Sequence, residues 1–209
     1  MRVFAGLWPT PEVRQHLAGA LTTAIGVDPE AAPGRSGPDG VRWTAAENWH
    51  VTLAFFGDLG EGRVDLLAEE LADVAAGGHP FDLALTGAGV FAHRTLWAGV
   101  GGEVEAVHAL VDGCRVAGEA IGARQDDRVR SRPHLTLGRV AQPRGGRRRR
   151  DLAVPDPGDL LVHALAVYRG PRWPVTELVL AESRPGEGRA GGPLYRTLAA
   201  WPLGAEGAA

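Results

Sequence analysis

His50-Val51-Thr52-Leu53 returns 84 residues later as His134-Leu135-Thr136-Leu137, and this pair of tetrads decides how the rest of the 209-residue chain is read. The sequence holds 7 His, 10 Thr and 23 Leu, so two histidines followed by x-Thr-Leu would arise by chance about 6 times in 10,000. The surroundings of the tetrads repeat as well. Hydrophobic period and turn residues predict a strand at 3–8, a helix at 10–25 and a strand at 50–56, matched by a strand at 95–100, a helix at 103–121 and a strand at 134–140. A period this long, interrupted by loops, is a duplication into two lobes related by a pseudo-two-fold axis, and a short-repeat solenoid is excluded.

Further strands are predicted at 41–43, 81–85, 160–168 and 177–181, and a second helix at 61–76, with Val64, Leu67, Leu71 and Val74 along one side. Residues 1–209 are expected to form a single two-lobed domain, with 202–209 a disordered tail. Apolar residues make up 44% of the chain and charged residues 22%, a globular composition. The net charge is −3, and all 22 basic residues are arginine. A general electrostatic grip on nucleic acid is therefore not expected, and lysine nucleophiles and Schiff bases are excluded. The lone Cys114 excludes an internal disulfide and multi-cysteine zinc sites, and the spacing of helix 103–121 assigns it to the core. No run reaches the ~18 apolar residues of a membrane span, and the first residues meet Pro and Glu too early for a signal peptide. A cytoplasmic monomer without membrane contact is expected.

On a strand, residues i and i+2 share a face, so each tetrad sets an imidazole beside a hydroxyl while Val51 and Leu53, or Leu135 and Leu137, turn to the core. Two such half-sites suit a phosphodiester. One imidazole serves as base on the incoming oxygen and the other as acid on the leaving oxygen, with Thr52 and Thr136 donating to the non-bridging oxygens. The scheme needs no metal, and spacing alone leaves open which histidine is the acid. A two-histidine metal site is the poorer alternative, since zinc usually takes three or four protein ligands. A non-catalytic RNA-end binder is a third reading; pure binding would be better served by cations than by two groups suited to proton transfer. His16, His79, His93, His108 and His163 share no spacing and are read as surface or structural residues. Arg132 and Arg139 bracket the second tetrad and are candidates to meet substrate phosphates, ahead of Arg128 and Arg130. The Arg147–Arg150 run is read as a solvated loop. Trp49 should point away from His50.

The two tetrads, with the opening Arg2-Val3-Phe4-Ala5, the stretches Val41-Arg42-Trp43 and Glu47-Asn48-Trp49-His50, and Gly191-Gly192-Pro193-Leu194-Tyr195 near the end, resemble the two-histidine phosphoesterases. Within these, the sequence is similar to the bacterial and archaeal RNA 2′,3′-cyclic phosphodiesterases, long called 2′-5′ RNA ligases. It departs at Ser131, where members often carry an aromatic residue, and at Trp49, where they carry Leu. The resemblance implies an α+β fold of antiparallel sheets around a central cleft, no cofactor, and RNA ends or nucleotides with a 2′,3′-cyclic phosphate as substrates. It implies that His50 is the proton donor to the leaving 3′ oxygen and His134 the acceptor from water. Ligation of the cyclic phosphate to a 5′-hydroxyl, the same in-line geometry with another nucleophile, stays open.

Overall fold

The computed structural model describes residues 1–26, 28, 40–123, 132–140 and 157–205. Arg128, Arg130, Ser131, the Arg147–Arg150 run and 206–209 lie outside the described residues. The chain runs β1 (Arg2–Leu7), α1 (Pro11–Ile25), β2 (Val41–Trp43), β3 (Val51–Asp58), α2 (Glu61–Ala76), β4 (Phe81–Phe91), β5 (Thr95–Gly102), α3 (Val104–Ala120), β6 (His134–Val140), α4 (Pro157–Ala164), β7 (Arg169–Val175), β8 (Glu177–Arg184) and β9 (Leu194–Pro202). The α+β class expected above is what the chain adopts.

Local chemistry sets the helices. In α1 the Thr10 hydroxyl accepts the Val13 N–H at 3.5 Å, Pro11 supplies the helical φ at the first turn, and Gly26 closes the end at φ +66°. Val13, Leu17 and Leu21, spaced by four, form its buried stripe. Val64, Leu67 and Leu71 do the same in α2, as do Val107, Leu110 and Cys114 in α3.

The strands form one antiparallel path, β7-β4-β5-β6-β3-β1-β8-β9, with β2 paired to β6. Its middle sets the two tetrad strands side by side. β3 and β6 are the repeated tetrad strands, β1 and β5 flank them, and β8 and β4 come next. Between β3 and β6 the ladder consists of the single pair Val51↔Leu135, so the two halves meet there and diverge. The four core-facing tetrad residues, Val51, Leu53, Leu135 and Leu137, are buried with the helices, as expected from alternation.

Two expectations are corrected, and one strand the sequence reading did not predict is added. Residues 160–168 are not a strand: α4 runs through Leu160, and the chain turns before β7. Leu161 and Leu165, four apart, are buried while Leu160 is 49% exposed, a helical pattern that a short apolar run conceals. β7 carries Pro171 and Pro174, which hide it as a strand; it lies at the edge of the sheet, where a missing N–H costs no ladder bond. The tail expected from 202 is anchored through Leu203 and Gly204. Leu203 is buried and its N–H donates to the Thr176 carbonyl at 2.9 Å, while the Gly204 N–H donates to Ala75 at 3.0 Å.

Candidate active site

The single pair at the seam gathers both tetrads. Val51 and Leu135 oppose each other with side chains to the core, so His50 and Thr52 flank one, and His134 and Thr136 the other, on the opposite face. The antiparallel sense sets His50 toward Thr136 and His134 toward Thr52. All four side chains are half-buried.

Both imidazoles are braced alike. His50 Nδ1 lies 2.7 Å from the Asn48 carbonyl and His134 Nδ1 2.9 Å from the Arg132 carbonyl, in each case the residue two before. A carbonyl only accepts, so each Nδ1 carries the hydrogen, and Nε2 is the ring nitrogen left to exchange a proton. Asn48 is buried, and its amide donates to the Pro193 carbonyl at 2.9 Å, which ties the brace of His50 to the approach of β9.

The walls differ between the halves. His50 stacks on Trp8 with centroids 5.2 Å apart, meets Phe4 at 4.8 Å, and takes the edge of Tyr195 at 5.0 Å. Gly6 makes room: a Cβ there would stand 3.3 Å from the Trp8 ring and 3.5 Å from the His50 ring. On the other side His134 meets Phe91 edge-on at 4.9 Å and Trp97 at 6.2 Å, and the Trp97 indole lies against Gly89, where a Cβ would fall 2.1 Å from it.

These walls set the proton affinities. Burial lowers the His50 pKa to about 4, the Asn48 carbonyl opposes that shift, and the charge of His134 adds to it. Burial also lowers the pKa of His134, against the Arg132 carbonyl. The two imidazoles thus lie within electrostatic reach of each other, and a proton on one discourages a proton on the other. Burial raises the pKa of Tyr195, while Arg139 and Arg2 pull it down.

Because the folded state resists protonating His50 and the unfolded chain does not, stability should fall as pH drops from about 6.5 toward 4. This one group should account for a loss on the order of 3 kcal/mol. Denaturant unfolding at pH 7 and pH 4.5 measures it against His50→Gln, which should lose less stability over the same interval. Equal losses would show that His50 is not the group responsible.

Arg139 reaches the cleft through a bulge. It lies five residues past His134, and plain alternation would turn it to the core. The register steps over Leu137, pairing Thr136 with Trp97 and Gly138 with Leu96, so Arg139 comes opposite Thr95 on the cleft face. Arg132 is exposed; its carbonyl, rather than its guanidinium, is the group placed against His134. Trp49 is fully buried, its indole N–H donating to Thr44, as expected for a residue turned from the cleft. Reading of the sequence missed Trp8, Phe4, Tyr195, Phe91 and Asn48. Strand alternation from Gly6 would have found Trp8 and Phe4; Tyr195 reaches the cleft only through the pairing of β9 with β8.

Beside Trp8 and Tyr195 opens a cavity of about 170 Å³, also lined by Asn48, Glu47, Arg189 and Pro193. Among the described residues no group of three or more His, Cys, Asp or Glu could hold a metal ion, and no helix is long and apolar enough to cross a membrane.

The chain is similar in part of its sequence and in its fold to known proteins. A family model, LigT like Phosphoesterase, matches residues 31–100, which hold the first tetrad. A protein of Methanothermobacter thermautotrophicus named RNA 2′,3′-cyclic phosphodiesterase is 38% identical over 109 residues, 50% of this chain and 57% of that one. One of the same name from Geobacillus stearothermophilus is 37% identical over 107 residues, 48% of this chain and 32% of its own length. The matched stretch is thus about half of this chain and less than two thirds of either relative. The fold match is longer. The E. coli LigT structure with 3′-AMP superposes with a TM-score of 0.70 over 97% of both chains at 24% identity. The TT0787 structure from Thermus thermophilus gives 0.71 over 99% of this chain and 100% of that one at 23% identity. In sequence around the first tetrad this chain is similar to the LigT like phosphoesterases, and over nearly its whole length it has the fold of the E. coli LigT structure.

Proposed function

We propose that this protein hydrolyses 2′,3′-cyclic phosphodiesters at RNA ends or on nucleotides to 2′-phosphomonoesters, without a metal, by general acid and base catalysis from His50 and His134. The observation that carries the reading is the matched brace: two imidazoles, each with Nδ1–H on a backbone carbonyl and Nε2 without a hydrogen-bond partner among the described residues, beside two threonines at one seam. Thr52 and Thr136 donate to the non-bridging oxygens, and Arg139 supplies a guanidinium for the phosphate. In the free protein both histidines hold protons poorly. A bound phosphodiester anion opposes that, raising their affinity so that one imidazole is charged when the leaving oxygen needs a proton. Following the family resemblance, His50 protonates the 3′ oxygen and His134 takes the proton of the attacking water. The reading assigns the protein to the cytoplasm as a monomer acting on RNA or nucleotide ends.

Incubation with adenosine 2′,3′-cyclic phosphate, with and without EDTA, tests the activity. Hydrolysis indifferent to EDTA is expected; loss with EDTA and recovery with zinc would favour a metal mechanism. The bond broken is tested by phosphorus NMR against authentic 2′- and 3′-monophosphates. Since the two His-Thr pairs are alike, the choice of bond rests on how the nucleoside is seated, and the cavity beside Trp8 and Tyr195 is adjacent to His50 for that purpose. The 2′-phosphate should predominate. A predominant 3′-phosphate would mean that the substrate sits in the opposite sense or that His50 and His134 exchange roles.

A further inference from the structure

The bulge that carries Arg139 into the cleft has a counterpart in the other half of the molecule. In β3 the register pairs Thr52 with Gly6 and Ala54 with Ala5, stepping over Leu53, so Phe55 comes opposite Phe4 on the cleft face. In β6 it steps over Leu137 and delivers Arg139. Phe55 and Arg139 are each five residues past a tetrad histidine, and each turns to the cleft only because of its bulge. Bulges that re-aim a side chain are features of function more than of packing. At this position the second half offers a cation. The first half offers an aromatic ring, which at 42% exposure is unusually open for a phenylalanine, while the adjacent Phe56 is buried.

The setting of Phe55 says what it would meet. Its ring is 5.5 Å from Phe4, which in turn touches His50 and Tyr195, so Phe55 stands one ring further from the reacting phosphate than the walls of His50. Arg2 shares the cleft face of β1 with Phe4 and is exposed, and its charge and that of Arg139 both reach Tyr195. An open aromatic face with guanidiniums beside it is how single-stranded nucleic acid is held, the base stacking on the ring and the phosphate meeting the cation.

Resting on the cyclic phosphodiesterase reading, we infer that Phe55 is a stacking platform for the base of the nucleotide 5′ to the cyclic end, with Arg2 facing the intervening phosphate. The preferred substrate is then an RNA end, not a free cyclic nucleotide.

The test is the ratio of kcat/KM for adenylyl-adenosine 2′,3′-cyclic phosphate to that for adenosine 2′,3′-cyclic phosphate. In the parent protein it should be about five- to hundredfold, the range of one base–aromatic stack. Phe55→Leu, which keeps apolar bulk, should bring the ratio close to one, and Phe55→Trp should preserve it. Arg2→Gln should weaken the salt dependence of the dinucleotide reaction by about one unit of logarithmic slope. A parent ratio near one, or a ratio unchanged in Phe55→Leu, overturns the platform even if both substrates are hydrolysed. Failure to hydrolyse either would instead count against the phosphodiesterase reading.

Discussion

Replacing His50 by Ala should lower kcat on a 2′,3′-cyclic nucleotide by about 10²- to 10⁴-fold, the usual worth of one positioned acid or base, and His134→Ala should cost a similar factor. The two losses should not multiply. Each imidazole is useful only while the other moves its own proton, so the double variant should resemble the worse single one. Thr52→Ala and Thr136→Ala each remove a hydroxyl donor to a charged phosphate, a bond worth ~1.5–3 kcal/mol, which corresponds to about ten- to hundredfold in rate. Thermal melts of the four variants at pH 7 separate chemistry from folding, since the half-buried side chains contribute less to packing than Trp49 behind them. Full activity in the His50→Ala, His134→Ala double variant would remove these residues from the mechanism.

What the sequence discloses about this site follows from distance along the chain. The His-Thr pairs are legible because both members sit two residues apart on one strand, and because the sequence writes the pattern twice. The walls are not legible in that way. Tyr195 stands edge-on to His50 only because β9 pairs with β8 and β8 with β1, an order set by tertiary pairing. Arg139 is a subtler case. Strand alternation counts it onto the wrong face, and only the extra residue at Leu137 returns it to the cleft. The misread segment at 160–168 has a similar origin, since Leu160-Leu161-Val162 fits a buried strand as well as a helix until the neighbours of each side chain are known. Elements with a full amphipathic period and caps, such as α1 and α2, are recovered within a residue or two.

A second large effect is expected in the pH profile, because the proposed mechanism needs one imidazole charged and one neutral while the free protein favours both neutral. Burial holds His50 at about 4 and holds His134 below the ordinary imidazole value, and each opposes charge on the other. The pair therefore takes up its protons in two coupled steps, and the singly protonated form is most populated on the acid side of 6.5. The profile of kcat/KM, which reports the free enzyme, should be a bell with its maximum there and its acid limb near 4. Above the pH at which the singly protonated pair loses its proton the competent fraction shrinks, and kcat/KM should fall about tenfold per pH unit. The profile of kcat reports the complex. There the phosphodiester anion lies between the imidazoles and stabilises the charged one, so both limbs should move to higher pH. Phosphate or a 2′-monophosphate, binding as an inhibitor, should show the same linkage by taking up protons and weakening as pH rises between 6 and 8. Measuring both kinetic profiles from pH 4 to 9 in buffers of constant ionic strength decides the matter. A kcat/KM that stays flat between pH 6 and 8, or limbs that coincide in the two profiles, would mean that the histidine pair does not carry the proton that the reaction needs.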